Sequence, residues 1–251
     1  MKNMRLLPLA ALGLIVACGE APTEAMLDAE PALEAAAENH SSSRLYEVTV
    51  TNFTGGQPFT PPLVATHNGE IRVFRPGRPA SFGVKEIAEN GNLAPLETEL
   101  LNDPRVSDVV IAAGSPPPVL PGGSITFQIT GDGNANFVSW ISMLICTNDG
   151  FTGRDGFRLP WKVGQTRSIR TIAYDAGTEL NTQDFDDLVP PCPPLTGFPA
   201  GPGTGTSNPA LAEGRKIQAH RGIKGFGESD LDPAIHGWSG SVGSISFTRL
   251  Q

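Results

Sequence analysis

Residues 137–146 read Phe-Val-Ser-Trp-Ile-Ser-Met-Leu-Ile-Cys, an apolar run interrupted only by Ser139 and Ser142. A strand with one wet face alternates in polarity, whereas a strand covered on both faces reads as a nearly continuous apolar run. This segment therefore predicts a central strand, and the segments around it supply its neighbours. In residues 124–130, Ile125, Phe127 and Ile129 alternate with Thr126, Gln128 and Thr130. In residues 45–53, Tyr46, Val48 and Val50 alternate with Glu47, Thr49 and Thr51. Both patterns predict half-buried strands. Shorter strands are expected at 63–66, 71–74, 106–111, 166–174 and 242–250. Between 82 and 102 the period changes: Val84, Ile87 and Ala88, then Leu96, Leu100 and Leu101, fit helical faces, punctuated by Gly91 and Pro95. The expectation is an all-β fold, a two-sheet antiparallel β-sandwich of about eight strands, with two short helices on one connection. A closed barrel is the alternative.

Composition agrees with turn-rich β architecture: 29 Gly and 23 Pro, with only 18% charged residues. The net charge of −8 is unevenly placed. Residues 1–17 carry Lys2 and Arg5 ahead of an apolar run over residues 6–16, and end Ile-Val-Ala before Cys18. That is the form of an export signal, and its end resembles a bacterial lipobox, which would lipidate Cys18. An ordinary signal peptide is the alternative. Gly19 follows the cysteine, so the aspartate that favours inner-membrane retention is missing. The expected address is the cell envelope, at the outer membrane or cell surface, with the membrane as partner through Cys18. Residues 18–43 contain six acids, no Lys or Arg, and Pro22 and Pro31. They predict an acidic, disordered tether. The domain expected over residues 44–251 then carries 20 acidic against 16 basic residues. This mild negative balance argues against nucleic acid, which demands many phosphate-neutralising cations.

With Cys18 assigned to lipid, Cys146 and Cys192 form an even pair in an oxidising compartment, and a disulfide is expected. Two separate buried thiols are the alternative. Several catalytic motifs are absent. Gly237-Trp238-Ser239-Gly240-Ser241 lacks the last glycine of a nucleophile elbow and leads into a strand. His67, His220 and His236 lack zinc-site spacing, and there is no Cys-x-x-Cys. Asp184, Asp186 and Asp187 resemble an EF-hand start, but Val189 stands where that loop needs Gly.

The acid- and glycine-rich residues between 146 and 179 are the candidate site. Calcium takes about six to eight oxygens, commonly from loops that can wrap the ion. Asp175-Ala176-Gly177-Thr178-Glu179 offers two carboxylates and a hydroxyl, and Asn148-Asp149-Gly150 lies on a connection able to reach the same end. Ordinary turn chemistry explains the same composition. Three segments together resemble the spondin N-terminal domain family in a bacterial form. They are residues 46–52 (YEVTVTN), 146–151 (CTNDGF) and 174–179 (YDAGTE). Residues 220–231, followed by Gly237-Trp238 and the last strand, fit the same pattern. The resemblance implies an eight-stranded sandwich and a bound calcium, as in extracellular adhesion proteins. It further implies metal ligands at Asp175, at Glu179 where the family has Asp, and at Asn136 where it has an aspartate. Asp149 is a further donor outside the family pattern.

The expected function is a lipid-anchored, extracytoplasmic, calcium-stabilised module that binds an unidentified extracellular protein or glycan, and not an enzyme. The alternatives are a secreted hydrolase using Asp149, Asp155, Asp175 and Glu179 as paired carboxylates, or a purely structural envelope lipoprotein.

Overall fold

The computed structural model describes residues 43–113, 119–197, 203, 207–225 and 231–251. The expected signal segment, Cys18 and the expected tether, through residue 42, lie outside the described residues. All described residues fall in one unit, His40–Gln251.

The chain runs β1 (Arg44–Asn52), β2 (Leu63–His67), α1 (Phe82–Asn90), α2 (Ala94–Leu101), β3 (Val106–Ile111), β4 (Ser124–Gly131), β5 (Phe137–Met143), β6 (Gly150–Arg158), β7 (Thr166–Thr171) and β8 (Ala173–Asp175). After these come α3 (Cys192–Thr196), β9 (Gln218–Ala219), α4 (Pro233–His236) and β10 (Gly243–Arg249). Two antiparallel sheets result, with strand orders β4-β1-β10-β7 and β3-β2-β5-β6-β8-β9. They do not close into a barrel. At the β3/β4 edge a side chain replaces the ladder: Asp108 Oδ2 accepts the Thr130 N–H at 2.8 Å and the Thr130 hydroxyl at 2.6 Å.

Alternation decides which layer each residue joins. Tyr46, Val48 and Val50 of β1 meet Ile129, Ile245 and Phe247 of their own sheet and Val64, Val138 and Trp140 of the other. Thr49–Thr126, Thr51–Ser124 and Thr166–Thr248 hydroxyl pairs, each at 2.8–2.9 Å, occupy the exposed face of the four-stranded sheet. The six-stranded sheet is covered on its second face as well. There Leu63, Ala65, Ile141 and Met143 pack with Val84, Ile87 and Leu96 of the helices and with Phe185, Leu188 and Ile217 of the later connection. This third layer is why residues 137–146 are apolar on both faces.

The two helices lie where the period places them. Ser81 accepts the Val84 N–H to start α1, and Gly91, at φ +64°, ends it. Ten strands form instead of about eight: the 71–74 strand is absent, the 166–174 segment divides in two, and β6 and the two-residue β9 are added. Ile71, Val73 and Phe74 are buried but do not form a strand: Asp155 Oδ1 takes the Val73 N–H at 2.7 Å. The 166–174 segment divides into β7, in one sheet, and β8, in the other. β6 occupies residues whose Gly150, Gly153 and Gly156 suggest a loop. Its Gly153 passes so close to β5 that an added Cβ would lie 2.3 Å from the Trp140 carbonyl oxygen. Cys146 and Cys192 form a disulfide with a Cα–Cα distance of 5.1 Å, fastening α3 beneath the end of β5. Among the described residues no helix is long and apolar enough to cross a membrane.

Candidate functional site

Residues 144–149, between β5 and β6, are buried throughout. Thr147 organises this turn, its hydroxyl donating to Leu144 O at 2.6 Å and accepting the Gly150 N–H at 2.8 Å. Asp149 is thereby delivered, 0% exposed, beneath the 175–179 segment. Its carbonyl accepts the Ala176 N–H at 3.1 Å. Its Oδ2 accepts the N–H groups of Thr178 at 2.7 Å and Glu179 at 3.1 Å, and the Thr178 hydroxyl at 3.3 Å. Gly177, at φ +71°, makes the turn possible, with Asp175 Oδ1 accepting its N–H at 2.8 Å.

Around Asp149 the protein gathers acidic groups that it neutralises only in part. Glu179 is buried, and its Oε1 accepts the Asn208 N–H at 2.7 Å. Glu89, from the last turn of α1, is 4% exposed. Its Oε2 pairs with Lys85 Nζ at 3.0 Å, while no donor reaches its Oε1 or Asp149 Oδ1. Burial, and then the neighbouring Asp175 charge, push the Asp149 carboxyl up to about 7. Burial also raises Glu179 to about 7, with Glu89 and Asp149 adding to the effect. A buried carboxylate without a donor or counter-ion is costly, so the local charge is set up for a cation or for protons.

The structure brings Asp149 and Glu179 together and places Asp175 beside them. The Asp175 oxygens are already engaged by Gly177 N, by Asn181 Nδ2 at 3.0 Å and by Gln218 Nε2 at 3.4 Å. Asn136 is not brought to this group. Met143 pairs with Phe151 at the site's end of the β5–β6 ladder, and Phe137 pairs with Arg158 at the other. Asn136 precedes Phe137, roughly 20 Å away along the strand, and its Oδ1 accepts from Arg44 Nη1 at 2.9 Å. The residue missed in the sequence is Glu89. Its only signal there is an acid at the buried edge of an amphipathic helix, four residues after Lys85. Among the described residues, only Cys146, Cys192 and His236 bring three such ligand atoms all within 4.8 Å. Both of those sulfurs belong to the disulfide; no three carboxylates among the described residues approach so closely, and they surround the buried region more loosely.

A second polar cluster lies apart. His67 Nε2 meets Ser139 Oγ at 2.8 Å, and Ser139 Oγ meets Asp155 Oδ1 at 3.1 Å. The carboxylate contacts the serine and not the imidazole, and His67 and Ser139 are both fully buried. Asp155 also holds the Val73 N–H and faces Arg72 at 3.6 Å. That arrangement supports the fold and lacks the order of a nucleophilic triad. It also separates Asp155 from Asp149 by six residues of β6, roughly 20 Å.

A comparison with curated proteins finds no match. A protein-family comparison does: the model described as Spondin_N matches residues 41–184. That span includes β1 through β8, Glu89, Asp149, Asp175 and Glu179, and more than half of the chain. The protein belongs to the Spondin_N family.

Proposed function

We propose that this protein is an extracytoplasmic binding module whose β-sandwich is stapled by one calcium ion, held on the cell envelope through a lipid on Cys18. The observation that carries the calcium reading is the pair of orphaned, buried acceptors, Asp149 Oδ1 and Glu89 Oε1, beside the buried Glu179. Three carboxylates against the single Lys85 leave an excess of two negative charges, which one divalent cation offsets. Calcium suits all-oxygen donors and tolerates irregular geometry. Glu89, Asp149 and Glu179 would supply the carboxylates, and Asp175 would shape the turn that presents them. The ion would draw together oxygens that repel one another without it. Its chemistry here would be structural, locking α1 and the 175–179 turn onto the end of β5.

Binding, in preference to catalysis, is favoured by how these groups are held. Asp149 is inaccessible and tied to backbone N–H groups, whereas a hydrolytic acid–base pair must reach substrate. The test is thermal unfolding of the full chain with calcium and with chelator, alongside titration calorimetry with calcium. Calcium should raise the melting temperature and bind in a 1:1 ratio. Equal melting temperatures and no binding heat would remove the calcium assignment. Turnover of a glycan or ester panel that Asp149→Asn abolishes would replace it with an enzyme.

A further inference from the structure

Opposite the acidic cluster, at the end where β1 begins and β6 finishes, lies a cleft of about 210 Å³ whose lining includes Arg44, Asn136, Arg158, Trp161, Gln165 and Arg167. No carboxylate lines it, although the chain as a whole carries a net charge of −8. Arg44 is 7% exposed, and its guanidinium donates to Asn136 Oδ1 at 2.9 Å and to Gly133 O at 3.3 Å, both uncharged acceptors. Among the described residues, none of Arg44, Arg158 and Arg167 takes part in an ion pair. Arg167 rests over the Phe157 ring at 5.0 Å. Three guanidinium groups without a carboxylate partner thus surround one depression, and their planar forks match carboxylate, sulfate or phosphate oxygens.

The cleft's second component is aromatic. Trp161 is 64% exposed, an unusual state for the largest apolar side chain. Its backbone is nonetheless fixed: its N–H donates to Gln165 Oε1 at 2.9 Å, and its carbonyl accepts from Arg249 Nη1. The Arg44 guanidinium lies 4.8 Å from the ring centroid. An exposed indole beside cations and the Gln165 side-chain N–H group provides apolar, ionic and hydroxyl-binding groups within one small volume, the Asn136 amide being taken up by Arg44 and by Asn134 O. That combination fits a sugar ring bearing an acidic substituent better than a bare phosphate, which has no use for the indole. The volume lies below the roughly 300–1,000 Å³ of drug-sized ligand pockets. It therefore suits a single unit of a longer chain that continues over the surface.

We propose that this cleft binds one acidic sugar unit, a uronate or a sulfated sugar, of an anionic polysaccharide. The proposal rests on the binding-module reading and names the chemistry of its ligand, but it does not involve the calcium cluster. To test it, the full chain would be titrated with hyaluronan, dextran sulfate, neutral dextran and polyphosphate at two salt concentrations. Binding to hyaluronan or dextran sulfate, with none to dextran, is expected, and the stronger of the two identifies the acid group. Arg158→Ala combined with Arg167→Ala should weaken that binding at least tenfold and flatten its salt dependence. Trp161→Ala should weaken it about tenfold and leave the salt dependence intact. Both variants alter partly or fully exposed side chains, and their calcium-dependent melting should match the unaltered protein. Unchanged binding by the double arginine variant would overturn the proposal. So would polyphosphate binding as tightly as either sugar polymer with no effect of Trp161→Ala, which would mark a merely electrostatic patch. Failure of calcium binding with polysaccharide binding intact would sink the calcium reading alone.

Discussion

Asp149 Oδ2 accepts the backbone N–H of Thr178 at 2.7 Å and that of Glu179 at 3.1 Å, joining the turn before β6 to the turn after β8. One carboxylate oxygen thus has a structural duty, while its twin, Oδ1, has no donor. The two duties can be separated by mutation, because an asparagine keeps the acceptor and loses the charge, whereas an alanine loses both.

Asp149→Asn should melt at or above the unaltered protein in chelator, since a buried uncompensated charge is gone, and should lose most of the calcium-induced rise. Asp149→Ala should instead melt lower in chelator, by about 2–3 kcal/mol in stability, because the N–H groups of Thr178 and Glu179 lose their acceptor in a buried turn. Denaturant unfolding of both variants, with and without calcium, measures this. Identical behaviour of Asn and Ala would contradict the division of roles. Glu89→Gln should likewise lose most of the calcium-induced rise, but it should not gain stability in chelator, because it also gives up the ion pair with Lys85.

The pH dependence has a definite sign. Asp149 and Glu179 are raised from ordinary carboxylate values to about 7 in the folded chain, mainly by burial. Between about pH 4 and pH 7 the folded state then binds more protons than the unfolded state, so stability without calcium falls as pH rises through that window. Calcium bound there would compete with those protons, so its affinity should increase as pH rises to about 7 and level off above. Denaturation midpoints at pH 5, 6, 7 and 8, in chelator and in calcium, provide the measurement. A stability that rises with pH across this window in chelator would refute the account, provided Asp149→Asn leaves that rise unchanged.

The major strands were legible because their chemistry repeats. β1 and β4 alternate in polarity, and β5 is apolar on both faces because a third layer covers it. β6 was not legible. Its glycines are required by close approach to β5, a tertiary demand that looks like turn composition in one dimension. Residues 71–74 misled in the opposite direction. Their apolarity is real burial, but Asp155 supplies the hydrogen bond that a strand neighbour would have supplied. At the site, Asp149 and Glu179 stood out as acids among glycines near strand ends. Glu89 lies on a helix 60 residues before Asp149, and nothing local in sequence joins the two. Asn136 was placed by resemblance, and the β5 register carries it to the far end of the sheet.

Gly153→Ala tests the reading of β6. An added methyl would sit 2.3 Å from the Trp140 carbonyl oxygen and 3.2 Å from the Ile141 Cα, both backbone atoms of a central strand. Neither can move without disturbing the β2–β5–β6 ladders. A loss of about 2–4 kcal/mol is expected, in the upper range for overpacking. Gly214→Ala, which meets nothing within 4 Å, should change stability by less than about 0.5 kcal/mol and serves as the control. Equal effects of the two substitutions in urea unfolding would show that β6 does not run against β5 at this point.

The Cys146–Cys192 disulfide closes a loop with a sequence separation of 46, for which chain entropy gives about 4 kcal/mol of stabilisation. Both cysteines are fully buried and share one apolar cluster with Phe185, Leu188 and Ile145. Replacing both by serine would therefore add two buried hydroxyls to the lost cross-link, so paired alanines are the cleaner substitution. Cys146→Ala with Cys192→Ala should lower the denaturation midpoint by an amount corresponding to about 4 kcal/mol. The calcium response should persist, because Asp149 is held by the 175–179 turn and not by α3. Joint loss of the cross-link and of calcium binding would mean that the disulfide, and not Asp149, organises the turn at the end of β5.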